Sequence, residues 1–454
     1  MSAHVSKLSM SSGRNDRIST PAQLDELLVK SQFKTTGKTS KSNLLALFCG
    51  TPLFEVLTTV GRPNLPDRDV FFARIAQMYE NRQFTNNGPM VREFESLVAK
   101  VSSSNHCVAI CNATLGLELT VHALGLTGDI IVPSFTFVAS VHALQRVGVR
   151  PVFCDVDPRT HCLDPARVEE LITPETSAIL GVALWGNYDG ESALRSIADK
   201  HGLKFILDSA HAIGCARENG GTKRLCDAEV LSFHATKCIQ ALEGGAVLTD
   251  DGNLAEKLRF LVNFGFSGED QVEDVGTNAK MNEAEAAMGL SSLDRMAEIF
   301  AHNAEILSRY CVGLTDVPGL CAHKRMSSAP HNHQYVVVEV EEQVFGLSRD
   351  ELVAALRFEN VLARRYFYPG VHRMRPYAER YPDVSKRLPV TEALAEKVMV
   401  LPSGTAMSPD DVERLCARIA LIQICAADVR AALSISTDPR LPAFYKQRRQ
   451  EIMS

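Results

Sequence analysis

Short apolar runs recur along the middle of the chain, and a stretch of helical periodicity follows most of them. "CVAIC" (107–111) leads into "ATLGLELTVHAL", and "DIIVP" (129–133) into "FVASVHALQRVG". "RPVFCDV" (150–156), "SAILGVALW" (177–185) and "KFILDSAH" (204–211) read as further buried strands, with the helical "ESALRSIADKHG" between the last two. "EVLSFH" (229–234) and "GAVLTD" (245–250) complete a set of seven. Continuous apolar strands alternating with amphipathic helices predict an α/β fold, a mostly parallel sheet covered on both faces. After about residue 325 the texture changes to "QYVVVEV", "SRDELVAALRFEN", "EKVMVLPS" and "SPDDVERLCARIALIQI". That mixture predicts a smaller C-terminal α+β domain. The expected organisation is an extension over 1–55, a large α/β domain over 56–320 and the small domain over 321–454.

The first 45 or so residues are rich in Ser, Thr and Lys and read as a mostly flexible extension. One short helix is expected there, at "STPAQLDELLVK", where Thr20, Pro21 and Gln23 form a capping pattern. Asp16, Asp25 and Glu26 argue against a transit peptide. The chain has 454 residues, 48 basic against 54 acidic, and a formal net charge of −6. That balance gives no electrostatic reason to expect nucleic acid or an anionic membrane as partner. No secretory h-region and no membrane-length apolar run is visible. The 12 cysteines are scattered without zinc or CxxC spacing, as in a protein kept reduced. Cytoplasm is the simplest expectation.

Ligands of open parallel sheets bind at the carboxyl ends of the strands, and three features fall there. Asp208 closes "KFILD". Lys237 follows "EVLSFH" after a short turn. At Asn112–Thr114 a strand passes into a helix, whose free backbone N–H groups and neighbouring hydroxyl suit an anion. Each feature alone has an ordinary explanation: a strand-ending Asp is often a cap, and most lone lysines are solvated surface charges. Together, in the order cradle, acid, lysine, they suggest pyridoxal phosphate. The lysine would form the Schiff base, and the acid would keep the pyridine nitrogen protonated.

The chain resembles the fold-type-I, pyridoxal phosphate-dependent sugar aminotransferases of the DegT/StrS family. The matching stretches are "TNNGPMVREFE" (85–95), "CNATLGLEL" (111–119), "DIIVPSFTFVAS" (129–140), "RPVFCDVDP" (150–158), "LDSAHAIG" (207–214), "LSFHATKCIQALEGG" (231–245), "GTNAKMNEAEAAMGL" (276–290) and "YFYPGVH" (366–372). They occur in the family's order over roughly residues 60 to 430. The resemblance implies that Lys237 is the Schiff-base lysine and that Asp208 pairs with the ring nitrogen. It places His211 near the ring's phenolic oxygen and Phe137 against the ring face. Ala113, Thr114 and Ser232 would hold the phosphate, and Asn278 would reach it from the partner subunit of a homodimer with shared active sites. A hydrogen-bonded core histidine and a plain core aromatic are the ordinary alternatives for His211 and Phe137.

Two departures stand out: the cradle reads Asn-Ala-Thr where many relatives have Ser-Gly-Thr, and Leu242 stands where glycine is frequent. Family dehydratases carry histidine in place of the lysine, so Lys237 disfavours dehydration. The implied reaction takes an amino group from L-glutamate to a nucleotide-linked keto-6-deoxysugar. Asn87 in "TNNGP" and His372 in "YFYPGVH" are expected near the sugar nucleotide, with plain turn chemistry as the alternative. An aminotransferase for a cyclitol or another natural-product ketone, and a regulator that binds pyridoxal phosphate without turnover, are the other readings.

Overall fold

The computed structural model describes residues 41–48, 50–217, 223–323 and 329–435. The helix expected at "STPAQLDELLVK" lies outside them. Seven strands form one sheet: β1 (His106–Ile110), β2 (Asp129–Pro133), β3 (Arg150–Cys154), β4 (Thr176–Val182), β5 (Lys204–Asp208), β6 (Ala228–Ser232) and β7 (Gly245–Thr249). Their spatial order is β1-β7-β6-β5-β4-β2-β3. Pairing is parallel from β6 through β3, and β7 alone runs antiparallel to both its neighbours, β1 and β6.

The reversed strand matters for function. The carboxyl ends of β1, β5 and β6 share one edge of the sheet, and the amino end of β7 joins them there. Gly245 therefore pairs with Ile110 on one side and Ser232 on the other.

Helices cover the sheet because its strands are apolar on both faces. Ala113–Ala123 follows β1, with Asn112 as its cap: the side-chain oxygen accepts from the Leu115 N–H at 2.9 Å. Gly116 lets this helix approach closely, since a Cβ there would lie 2.3 Å from Ile110 Cδ1 and 2.9 Å from Val230 Cγ1. Ile110, Ile130, Leu180, Ile206, Val230 and Val247 are all buried in the cluster between them. Each such side chain contributes roughly 1.5–3 kcal/mol on burial.

A second antiparallel sheet of three strands comprises β8 (Leu320–Ala322), β9 (Val336–Val340) and β10 (Val398–Leu401). Helices Arg349–Phe358 and Pro409–Ile424 pack on it through Leu352, Leu356, Leu415 and Ile419. Leu45 and Leu53 belong to this same core. Glu359, buried, holds them there by accepting from the Ala46 and Leu53 N–H groups and from Arg418. Thr58–Thr59 then pairs in parallel with Val361–Leu362, so the start of the described chain is woven into the C-terminal layer.

Two of the sequence motifs meet at one helix end. Pro89–Val101 begins with proline in its first turn. The Glu283 carboxylate accepts from both the Met90 and Val91 N–H groups at 3.0 Å. A Cβ on residue 88 would fall 2.4 Å from the Glu283 carboxyl carbon, so Gly88 is required by that approach.

Candidate active site

Asp208 ends β5 and is buried. Its Oδ2 accepts from Ser140 Oγ at 2.7 Å, and its Oδ1 from the Ala210 N–H at 3.1 Å. Burial pushes the carboxyl above its ordinary range; both hydrogen bonds and the Lys237 charge oppose that push by favouring the anion.

Lys237 sits in the turn after β6, where its N–H donates to the His234 carbonyl at 2.8 Å. The small neighbours Ala235 and Thr236 leave its side chain room to turn back over the sheet edge. Nζ reaches the Tyr335 hydroxyl, 3.4 Å away. Burial lowers the amine from 10.5 to about 8, against the opposing pull of Asp208. This is why the chain places a lysine among small and apolar residues: near neutrality, a useful fraction of the amine is unprotonated.

Behind Lys237 stands an aromatic wall, of which the sequence singles out His211 and the "YFYPGVH" stretch but not Tyr335 or Trp185. The Tyr335 ring lies 4.4 Å from His211 and 5.5 Å from Trp185. Trp185 stacks on His211 and Phe367, and Phe367 on Tyr366. Trp185 adopts a left-handed backbone conformation at φ 58°, which aims its N–H at His211 Nδ1, 3.3 Å away. Nδ1 is thus an acceptor, and neutral His211 carries its proton on Nε2. Burial and the Lys237 charge hold its pKa well below the usual range, so neutral is its working form.

The Trp185 indole N–H donates in turn to His161 Nδ1 at 3.1 Å. His161, His323 and Glu339 lie close enough together to suggest a metal cluster. The indole can only donate, however, so neutral His161 also carries its proton on Nε2, the nitrogen 3.3 Å from Glu339 Oε1. With that proton in place the nitrogen cannot be a ligand. Glu339 is also paired with Lys397, 2.8 Å away, so its charge already has a partner.

Around the sheet edge, the backbone N–H groups of Ala113 and Thr114 open the first turn of their helix. Asn112 occupies the Leu115 N–H and leaves these two without a partner among the described residues. A Cβ on Gly245 would stand 2.7 Å from Ala113 N, so the glycine preserves the concavity. Ser232 ends β6 beside Gly245. Phe137 is 59% exposed, the opposite of a core aromatic, and its ring is open to a ligand. These features fit a phosphorylated aromatic cofactor: a concave nest of donors, an open ring, a buried acid and a lysine.

The segment that carries Asn278 runs beside the end of β1, where the Cys111 N–H donates to the Ala279 carbonyl at 2.8 Å and Ile110 bridges to Lys280. Asn278 is exposed, in a segment bridged to Asn263. Asn87 is exposed in a left-handed turn at φ 56°. His372 is only 2% exposed, with Nδ1 bonded to Ser134 Oγ at 2.6 Å and Nε2 to Glu392 Oε1 at 2.7 Å. Both ring nitrogens are engaged, and neither is left for a ligand. Leu242, the departure from glycine, has φ 64°, a conformation that costs a side chain about 1 kcal/mol.

Comparison with known proteins bears on this arrangement. Residues 67–420 match the profile of the DegT/DnrJ/EryC1/StrS aminotransferase family. The chain is 37% identical over 362 residues to a dTDP-4-amino-4,6-dideoxy-D-glucose transaminase of Shigella dysenteriae, covering 79% of this chain and 97% of the relative. It is 36% identical to the erythromycin biosynthesis sensory transduction protein EryC1 of Saccharopolyspora erythraea, over 73% of this chain and 90% of that one. The crystal structure of DesI in the presence of its TDP-sugar product superposes with a TM-score of 0.80 at 44% identity, covering 87% of this chain and all of the other.

Proposed function

The chain belongs to the DegT/DnrJ/EryC1/StrS aminotransferase family, and from that premise we propose that it uses pyridoxal 5′-phosphate to move an amino group from L-glutamate to a nucleotide-linked keto-6-deoxysugar, such as a dTDP-4-keto-6-deoxyhexose. The observation that carries the reading is the meeting of Lys237, Asp208 and the Ala113–Thr114 cradle at one sheet edge. The printed activity of the Shigella relative and the TDP-sugar product of DesI support the substrate class.

When bound, the cofactor supplies a carbonyl carbon that takes up amines and a ring that accepts the electrons freed as a proton leaves the substrate's α-carbon. The chain's own residues do the rest. Ala113 and Thr114 N–H groups and the Ser232 hydroxyl would hold the phosphate. Phe137 would cover the ring face. Asp208, whose anionic form the Ser140 and Ala210 hydrogen bonds favour, would hold the proton on the ring nitrogen. His211 would offer its Nε2 proton to the ring's phenolic oxygen. Lys237 Nζ would take the proton from the donor's α-carbon and return it, as an amine lowered to about 8 can do in both directions. Tyr335, against Nζ, would limit where that amine points.

Asn278 would reach the phosphate of a second copy's site. Exposed Phe264, Phe266, Val272 and Val275 lie on the neighbouring segment, an apolar surface that a homodimer would cover. Asn87 would lie near the sugar nucleotide. His372 would act through the loop it anchors, since its ring is occupied. One relative bears a sensory name; a binder without turnover has no need of the lowered Lys237 amine. No helix of the described residues is long and apolar enough to cross a membrane, in keeping with a cytoplasmic enzyme. The test is a panel of nucleotide-linked ketosugars incubated with glutamate and read by mass spectrometry. Conversion only of cyclitol or other free ketones would overturn the substrate assignment.

A further inference from the structure

His161 and Trp185 both hold a left-handed backbone, at φ 60° and φ 58°, and both are buried. That conformation strains a residue with a side chain, and it persists where the surroundings over-determine it. One hydrogen bond joins the two strained residues, from the Trp185 indole N–H to His161 Nδ1 at 3.1 Å. An indole has a single donor and no acceptor, so this bond uses the whole polar capacity of the Trp185 side chain.

His161 is held before Trp185 reaches it. It closes a tight turn after β3, where its N–H donates to the Asp157 carbonyl at 2.9 Å. The His323 ring lies 4.4 Å from its ring and the Phe135 ring 5.7 Å. Glu339 on β9, itself paired with Lys397, stands 3.3 Å from its Nε2. Elements of both sheets therefore fix the imidazole. Trp185, beyond the end of β4, has one consequence for the site: its backbone N–H is the donor to His211 Nδ1, 3.3 Å away. Relaxing Trp185 to an ordinary backbone conformation would turn the peptide that carries this N–H. Without that donor, the proton of neutral His211 is free to sit on either ring nitrogen.

We propose that His161 is a positioning residue for His211: by holding the Trp185 indole it keeps the Trp185 N–H on His211 Nδ1, and so keeps the His211 proton on Nε2, toward the cofactor's phenolic oxygen. The assignment rests on the pyridoxal phosphate reading above and extends it to a residue two hydrogen bonds away from His211.

The chain has one tryptophan, so ultraviolet resonance Raman of the cofactor-free protein reads the Trp185 indole hydrogen bond alone. His161→Phe keeps a ring and removes the acceptor. His161→Asn keeps an acceptor, because Oδ1 stands as far from the backbone as Nδ1 does, and asparagine tolerates the left-handed conformation. The indole bond should be lost in the first variant and survive in the second. A phenolic oxygen that loses its donor becomes more basic. In the cofactor-loaded protein, the pH midpoint of the visible absorbance should therefore rise by roughly one pH unit in His161→Phe and stay near the wild-type value in His161→Asn. Trp185→Phe, which keeps the stacked ring and removes the indole donor, should raise the midpoint as far, and the double variant no further. Far-ultraviolet dichroism reports which variants fold, and either single Phe variant suffices. A folded His161→Phe or Trp185→Phe that titrates at the wild-type midpoint would overturn the positioning role and leave the cofactor reading standing. A wild-type protein that takes up no pyridoxal phosphate would remove the reading beneath it.

Discussion

Ser140 Oγ donates a 2.7 Å hydrogen bond to Asp208 Oδ2, and it does so from the helix that follows Phe137 rather than from the strand that carries the acid. The bond favours the anion and so opposes the upward push of burial on the carboxyl's pKa. Removing it with Ser140→Ala should move the Asp208 pKa further upward. The acidic limb of the rate profile should then shift to higher pH, while the alkaline limb governed by Lys237 stays in place. Steady-state rates across pH, with the bound cofactor's absorbance followed in parallel, check this; an unmoved acidic limb would show that Ser140 does not tune the acid.

Asp208→Asn should retain the cofactor but lose roughly 10²–10³ in turnover, since an amide cannot hold the charge of a protonated ring nitrogen. Single-turnover absorbance with glutamate is the measurement. Near-normal kinetics would assign the ring nitrogen to another group.

Lys237→Ala should lower amino transfer by at least about a thousandfold, because it removes the amine proposed to carry the proton. The same site makes a separate claim about the protein without cofactor. Below about pH 8 the amine is protonated in both the folded and unfolded chain, and the folded state carries the full cost of burying it. Between about 8 and 10.5 the unfolded chain binds the extra proton, so wild-type stability rises with pH. Lys237→Met should therefore stabilise the cofactor-free protein near neutrality, by at most about 3 kcal/mol because the amine keeps some access to water. The gain should vanish above about 10.5. Urea unfolding at several pH values reads it.

Gly245→Ala should lower cofactor affinity about tenfold or more. The added methyl would press on Ala113 N, 2.7 Å away, and close the cradle. Absorbance titration of the cofactor-free protein with pyridoxal phosphate gives the dissociation constant. Unchanged affinity would place the phosphate elsewhere.

A site shared between two copies is testable by mixing Lys237→Ala with Asn278→Asp, each inactive alone. Mixed dimers should recover one intact site in which Lys237 and Asn278 come from different chains. Mixed dimers that form but stay inactive would rule out the shared arrangement.

All seven strands of the large sheet were readable in the sequence because each is a local apolar run; Asp208 was readable because it ends one, and Lys237 because it follows one after a short turn. The site's second layer was not. Tyr335 reaches Lys237 from the position just before β9, nearly a hundred residues downstream, and nothing around "HNHQY" signals that contact. Trp185 looks like the tail of an apolar strand; only its left-handed backbone turns it into the partner of His211 and His161. Helix Arg68–Asn81 went unread for a different reason. Phe71, Ile75 and Met78 face the core, but Val70, Phe72 and Tyr79 are apolar and exposed, so the apolar pattern runs around the helix and hides that stripe. Periodicity finds a helix only when this chain alone supplies the surface it packs on.

The contact between Gly88 and Glu283 has an evolutionary consequence. The carboxylate supplies the acceptors for the Met90 and Val91 N–H groups, 193 and 192 positions away in the chain, and it leaves no volume for a side chain at residue 88. Shortening Glu283 to Asp would withdraw the acceptors and free that volume at once; adding a methyl at residue 88 would evict the acid. In descendants of this chain the two positions should change together or not at all, so a lineage that has lost the glycine should also show a new cap for the helix at Pro89.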